Sequence, residues 1–105
     1  MGYDKKREKL EELSAKLSSL KTYDNKSLLV ITDIFEAYSH SIRILKNKNP
    51  EAFNHLYETE LQEVKLVRRS LKVAEEADRQ EAFTKFKDSL LAALNSAIKQ
   101  AKETV

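Results

Sequence analysis

The chain has 105 residues, 34% of them charged and 41% hydrophobic, with a formal net charge of +2. That length sustains one core and one domain, residues 1–105, and the composition excludes a disordered chain. The balanced charge excludes a polyanion footprint over the whole surface, and the absence of cysteine excludes disulfides, thiolate chemistry and sulfur-ligated zinc.

One glycine and one proline are too few to supply the turns of a sheet protein, so an all-α fold follows by exclusion. No apolar run reaches the ~18 residues of a membrane span. Met1 to Lys6 lacks the hydrophobic segment of a signal peptide, and Lys6 stands where N-myristoylation wants Ser or Thr. The expected localisation is cytoplasmic.

The first helix is predicted over about 4–20. Leu10, Leu13, Leu17 and Leu20 recur at 3-4-3 spacing, and Tyr3 extends the row by a heptad. This narrow seam serves one neighbour. Arg7–Glu11 and Glu12–Lys16 form i,i+4 pairs on the wet side, each contributing a few tenths of a kcal/mol. The acids interrupting Lys5-Lys6-Arg7 make it a solvated helix start.

The second helix, 27–46, should be the most buried member. Leu28, Ile31, Phe35, Tyr38, Ile42 and Leu45 form one row, with Val30, Ile34, Ala37, Ser41 and Ile44 beside it. Together they cover roughly 200° of the circumference, against about 100° on an ordinary surface helix. Neighbours on two sides are required. Asp33, Glu36, His40, Arg43 and Asn47 make the polar stripe, and Ser27 or Asn25 is the expected N-cap.

Asn49-Pro50 marks the clearest boundary: Asn49 caps, Pro50 takes the first helical position and Glu51 suits the helix N-terminus. The third helix is predicted over 50–77, with Phe53, Tyr57, Val64, Val67, Leu71 and Ala74 in its main row and Leu56 and Leu61 flanking. Glu60 and Arg68 border that row and are expected to pair with charges of a neighbour. A turn is expected near Ala77-Asp78, because Asp78-Arg79-Gln80-Glu81 matches a capping box and the apolar face jumps by half a turn there. An unbroken helix swapped between two chains is the alternative. The fourth helix, 79–102, presents Phe83, Phe86, Leu90, Leu94, Ala97 and Ala101, flanked by Ala82, Leu91, Ala93 and Ile98. The expected architecture is a compact, mostly antiparallel four-helix bundle.

Few residues suggest chemistry. Glu36–His40 and Glu51–His55 sit at i,i+4 on polar faces and read as surface contacts; carboxylate-bridged metal bundles use Glu-x-x-His directed into the core. Ser39-His40-Ser41-Ile42-Arg43 resembles the start of the histidine-kinase phosphoacceptor box, which would make His40 a phosphoacceptor on a dimerising helical hairpin. Ser41 stands where that box has an acid, and Ile44-Leu45 where it has Thr-Pro. Lys65, Arg68, Arg69 and Lys72 cluster within two turns. Their like-charge i,i+4 spacing costs stability, so an acidic partner is expected, either Glu75 or Glu76, a neighbouring helix, or a phosphate backbone. Leu66 and Val73 point away from the main row, with Thr59 and Ala77 beside them, and suggest a second contact surface.

No phosphate loop, nucleophile elbow or Ser/His/Asp constellation is present, so catalysis and cofactors are not expected. The leading expectation is a non-enzymatic protein-interaction module that binds a protein partner or itself, as a homodimer, through an apolar helix face. The alternative is a nucleic-acid-associated protein using Lys65, Arg68, Arg69 and Lys72. The third is a phosphoacceptor domain built on His40.

Overall fold

The structure, a computed structural model, describes residues 3–104. Five α-helical segments run in order: α1 (Asp4–Ser18), α2 (Asn25–Lys48), α3 (Pro50–His55), α4 (Leu61–Val73) and α5 (Arg79–Glu103). A single π-helical turn, Leu56–Glu60, joins α3 to α4 into one interrupted helix, and a 3-10 turn, Glu76–Asp78, precedes α5. The result is an all-α bundle of four rods.

Each rod ends for a local reason. At the end of α1 the Ser19 hydroxyl donates to the Lys16 carbonyl at 2.7 Å, tightening the last turn two residues before the expected end at Leu20. The N-cap of α2 is Asp24, not Ser27 or Asn25: its carboxylate accepts the Ser27 N–H at 2.7 Å. This bond holds the Asp24 carboxyl below its ordinary value of 3.8. The helix accordingly begins two residues earlier than expected and ends two later. Asn49 then serves both sides of a one-residue corner. Its N–H donates to the Leu45 carbonyl at 2.9 Å, closing α2, and its Oδ1 accepts the Ala52 N–H at 3.3 Å, opening α3 beside Pro50.

The third rod departs most from the periodic expectation. Leu56 and Leu61 lie five residues apart, which on a regular helix separates them by about 140°. The π turn, in which the Leu61 N–H donates to the Leu56 carbonyl, absorbs the extra residue. Both leucines therefore enter the core with Phe53, Val64 and Leu71, whereas Tyr57 and Val67 are only half-buried. The main row assigned to this helix is corrected accordingly.

The rod stops at Val73, four residues before the expected Ala77. Ala74 and Glu75 are extended, and the Arg79 Nε donates to the Ala74 carbonyl at 3.3 Å across the corner. The expected capping box is not made, since the Asp78 side chain caps nothing. The turn itself is present, and it disposes of the swapped-helix alternative.

Around the bundle, α1 lies between α2 and α5, and the third rod lies between the same two on the other side. Thus α2 has its two neighbours, α1 and the α3–π segment. As expected, α2 buries the most residues of any helix, while α5 packs over the greatest length, against both α1 and α4. Buried Ala93, Ala97 and Ala101 let those partners come close. Leu10, Leu13 and Leu17 of α1 complete one contiguous core, and Tyr3 caps it with its ring edge-on to Phe53 at 5.2 Å. Arg7 pairs with Glu11 at 3.2 Å, and Glu11 also reaches Lys102 of α5 at 3.9 Å; Glu12–Lys16 does not close.

One core residue is not fully satisfied. Tyr38 is 0% exposed and its hydroxyl has no hydrogen-bond partner. Burial, with the Glu60 charge nearby, pushes the phenol above its ordinary value of 10.

Candidate functional site

Where α4 leaves the π turn it packs on α5 and makes little contact with α2. A cleft opens between them. On the α2 wall stand Leu28, Thr32 and Phe35, spaced i, i+4, i+7 as one stripe. Thr32 donates its hydroxyl to the Leu28 carbonyl at 2.8 Å, which satisfies the oxygen within the helix. Across from them α4 contributes Arg68, Leu71 and Lys72, and Phe86 of α5 reaches the cleft from below. Tyr23 and Arg79 close one end, where the Tyr23 N–H donates to Gln80 Oε1 at 2.7 Å.

The cavity at that end measures about 350 Å³. A second, of about 230 Å³, lies between Phe35 and the cations Lys65, Arg68, Arg69 and Lys72. Arg68 and Lys72 line both, so the two form one trench with an apolar floor and a cationic rim. No carboxylate among the described residues lines it.

The cluster Lys65, Arg68, Arg69 and Lys72 is thus brought together on one side of the cleft. Neither Glu75, Glu76 nor any acid of a neighbouring helix comes within ion-pair distance of these four, among the described residues. Arg68 does not pair with a neighbour's charge. It rests instead over the Phe35 ring, 4.9 Å from its centre, an arrangement worth about 0.5–1 kcal/mol. The like-charge pairs Lys65–Arg69 and Arg68–Lys72 remain uncompensated, at a cost of a few tenths of a kcal/mol each.

Leu66 and Val73 are 64% and 76% exposed and stand on the outer ridge of α4, beside Arg69 at i+3 and i−4. The groove on the far side of that ridge, against α5, is of another character: Lys85 there pairs with Glu81 at 3.3 Å. Uncompensated positive charge and exposed apolar surface coincide on the cleft side and crest of α4.

The other sequence candidates lie elsewhere. His40 is exposed on the polar stripe of α2, outside the residues lining the cleft, while its neighbours Ser39 and Ser41 are turned into the protein. The expected Glu36–His40 and Glu51–His55 contacts do not close to ion-pair distance. No group of three or more His, Asp or Glu side chains is arranged to hold a metal ion among the described residues. No described helix is long and apolar enough to cross a membrane.

Comparison with known proteins finds no matching family model, no similar curated protein and no similar solved structure. The cleft is the feature on which a functional reading rests. Its cations were visible in the sequence; the α2 wall opposite them was not. Leu28 and Phe35 belong to the row expected in the core: Phe35 is buried there, under Arg68, and Leu28 is half-buried at the edge of the cleft.

Proposed function

We propose that this chain is a non-enzymatic protein-interaction module that docks an acidic surface of a partner protein on α4. The observation that carries this reading is the cluster Lys65, Arg68, Arg69 and Lys72, unpaired with any carboxylate, on the same helix as exposed Leu66 and Val73. Charge of one sign beside apolar surface is the composition of a binding face: the charges steer the partner and the apolar side chains retain it. Docking of α4 against α4 of a second copy would set like charges together, which disfavours the self-associating version of the reading.

Nucleic-acid binding through the same four cations is the second reading, and their spacing along one helix face is what favours it. Against it, Phe35 is covered by Arg68 and Phe86 is 1% exposed, so neither ring offers a face to a base.

Light scattering separates the two. The chain is run at low and high salt, alone, with polyglutamate and with a mixed oligonucleotide of equal charge. A complex with polyglutamate, lost in high salt and in the double variant R68E/R69E, supports acidic-protein docking. A complex with the oligonucleotide only refutes it and selects the nucleic-acid reading.

A further inference from the structure

We infer that the trench between α2 and α4 is built to receive an amphipathic helix of the partner, with one acidic flank turned to α4 and bulky apolar anchors. The inference rests on the docking reading above and specifies its occupant. Three features carry it. The trench lies between two helices with a third beneath it, which is the position a further helix takes in a bundle. Its floor is apolar: half-buried Leu28 offers side-chain surface above the buried Leu71 and Phe86 at one end, and at the other Phe35 lies beneath the Arg68 guanidinium. Its rim is cationic and carries no acid, so an occupant must bring negative charge to complete it.

The α2 wall adds detail. Because the Thr32 hydroxyl proton is spent on the Leu28 carbonyl, the stripe Leu28–Thr32–Phe35 has no O–H left to donate to the carbonyls of an extended backbone. No strand is present among the described residues, so an extended peptide has no sheet edge to join. A helix satisfies its own backbone and asks only for side-chain complementarity. Anchors at i, i+3 or i+4, and i+7 match a trench of this form, with Glu or Asp on the one flank that faces Lys65, Arg68 and Lys72 of α4 and near the end closed by Arg79.

The test is selection from a displayed library of random 16-residue peptides against the full chain. Enriched sequences are synthesised and titrated against protein with labelled leucine methyl groups. Expected are acidic sequences with apolar residues at helical spacing that gain helicity on binding. They should shift the Leu28 and Leu71 methyl signals, and R68E/K72E should weaken them by at least tenfold. Acidic peptides without helical periodicity that leave both methyl signals unmoved overturn the trench inference while the docking reading stands. Failure to enrich any peptide, or enrichment of peptides indifferent to R68E/K72E, overturns both. The leucine methyl readout needs no substitution in the trench, so it does not depend on a variant that fails to fold.

Discussion

Deleting Thr59 should leave the protein folded, whereas deleting Glu36 should unfold it, although both residues are exposed. Thr59 lies within the π turn. Removing it brings Leu56 and Leu61 to a spacing of four, so that Phe53, Leu56, Leu61, Val64 and Leu71 share one face of an uninterrupted α-helix. No buried side chain changes sides, and the expected cost is within about 1 kcal/mol, since only the local backbone is rebuilt. Deleting Glu36 has no such outlet. It rotates Tyr38, Ile42 and Leu45, each 0% exposed, by about 100° relative to Ile31, Ile34 and Phe35. At roughly 1.5–3 kcal/mol per large side chain the loss is about 5–9 kcal/mol. That is from about a third to all of the roughly 5–15 kcal/mol that holds a domain together, and enough to unfold a domain in the lower part of that range. Urea titration followed by circular dichroism reads both variants. A Thr59 deletion that melts as severely as the Glu36 deletion would refute the account of the π turn as one absorbed residue.

Other expectations follow from the same geometry. Tyr38→Phe removes a buried hydroxyl that has no partner, and should stabilise the protein by about 1 kcal/mol, raising Tm by roughly 4–8 °C; a fall in Tm would show that the hydroxyl is satisfied in solution. The raised Tyr38 phenol also ties stability to alkaline pH. Its contribution is complete below the ordinary value of 10 and is lost as pH climbs toward the higher folded value, so thermal melts above pH 10 should fall less steeply in Tyr38→Phe. Asp24 works at the opposite limb. Its lowered carboxyl contributes stability that is present above 3.8 and lost as pH falls through the folded value. Asp24→Asn keeps a capping oxygen without the titration, and should flatten the acid limb of Tm against pH. The double variant L66S/V73S should change stability by less than about 0.5 kcal/mol, because both side chains are already in water; a larger loss in a urea titration would place them in the folded core.

What was legible in the sequence was what depends on one helix at a time. The leucine seam of α1, the wide apolar face of α2 and the Asn49-Pro50 corner each follow from spacing and capping chemistry. The Asp24 cap was missed because Thr22, Asp24, Asn25 and Ser27 all belong to capping residue types, and the choice among them depends on where the chain turns. The corner before α5 was misread in detail because Arg79 bonds to the Ala74 carbonyl, a contact with no periodic signature. The four cations of the cleft were legible as a cluster. Their lack of an acidic partner was not, because it depends on α4 diverging from α2 and carrying Lys65 and Lys72 away from neighbouring carboxylates. That divergence is a tertiary property, written in the sequence only as one surplus residue between two leucines.

The pairing of α1 with α5 has a consequence for how the molecule is held. Lys102 in the last turn of α5 meets Glu11 midway along α1, and Tyr3 meets Phe53 just past the Asn49-Pro50 corner, so both described ends lie toward that corner of a body 45 Å long. Tyr23, in the connection between α1 and α2, and Arg79, the first residue of α5, close the trench toward the opposite end. Anything joined to the chain at Tyr3 or Thr104, a flexible tether or a fused protein, therefore leaves from the pole remote from that mouth. Such a molecule can be moored through Tyr3 or Thr104 and still hold its trench mouth outward, free of the mooring.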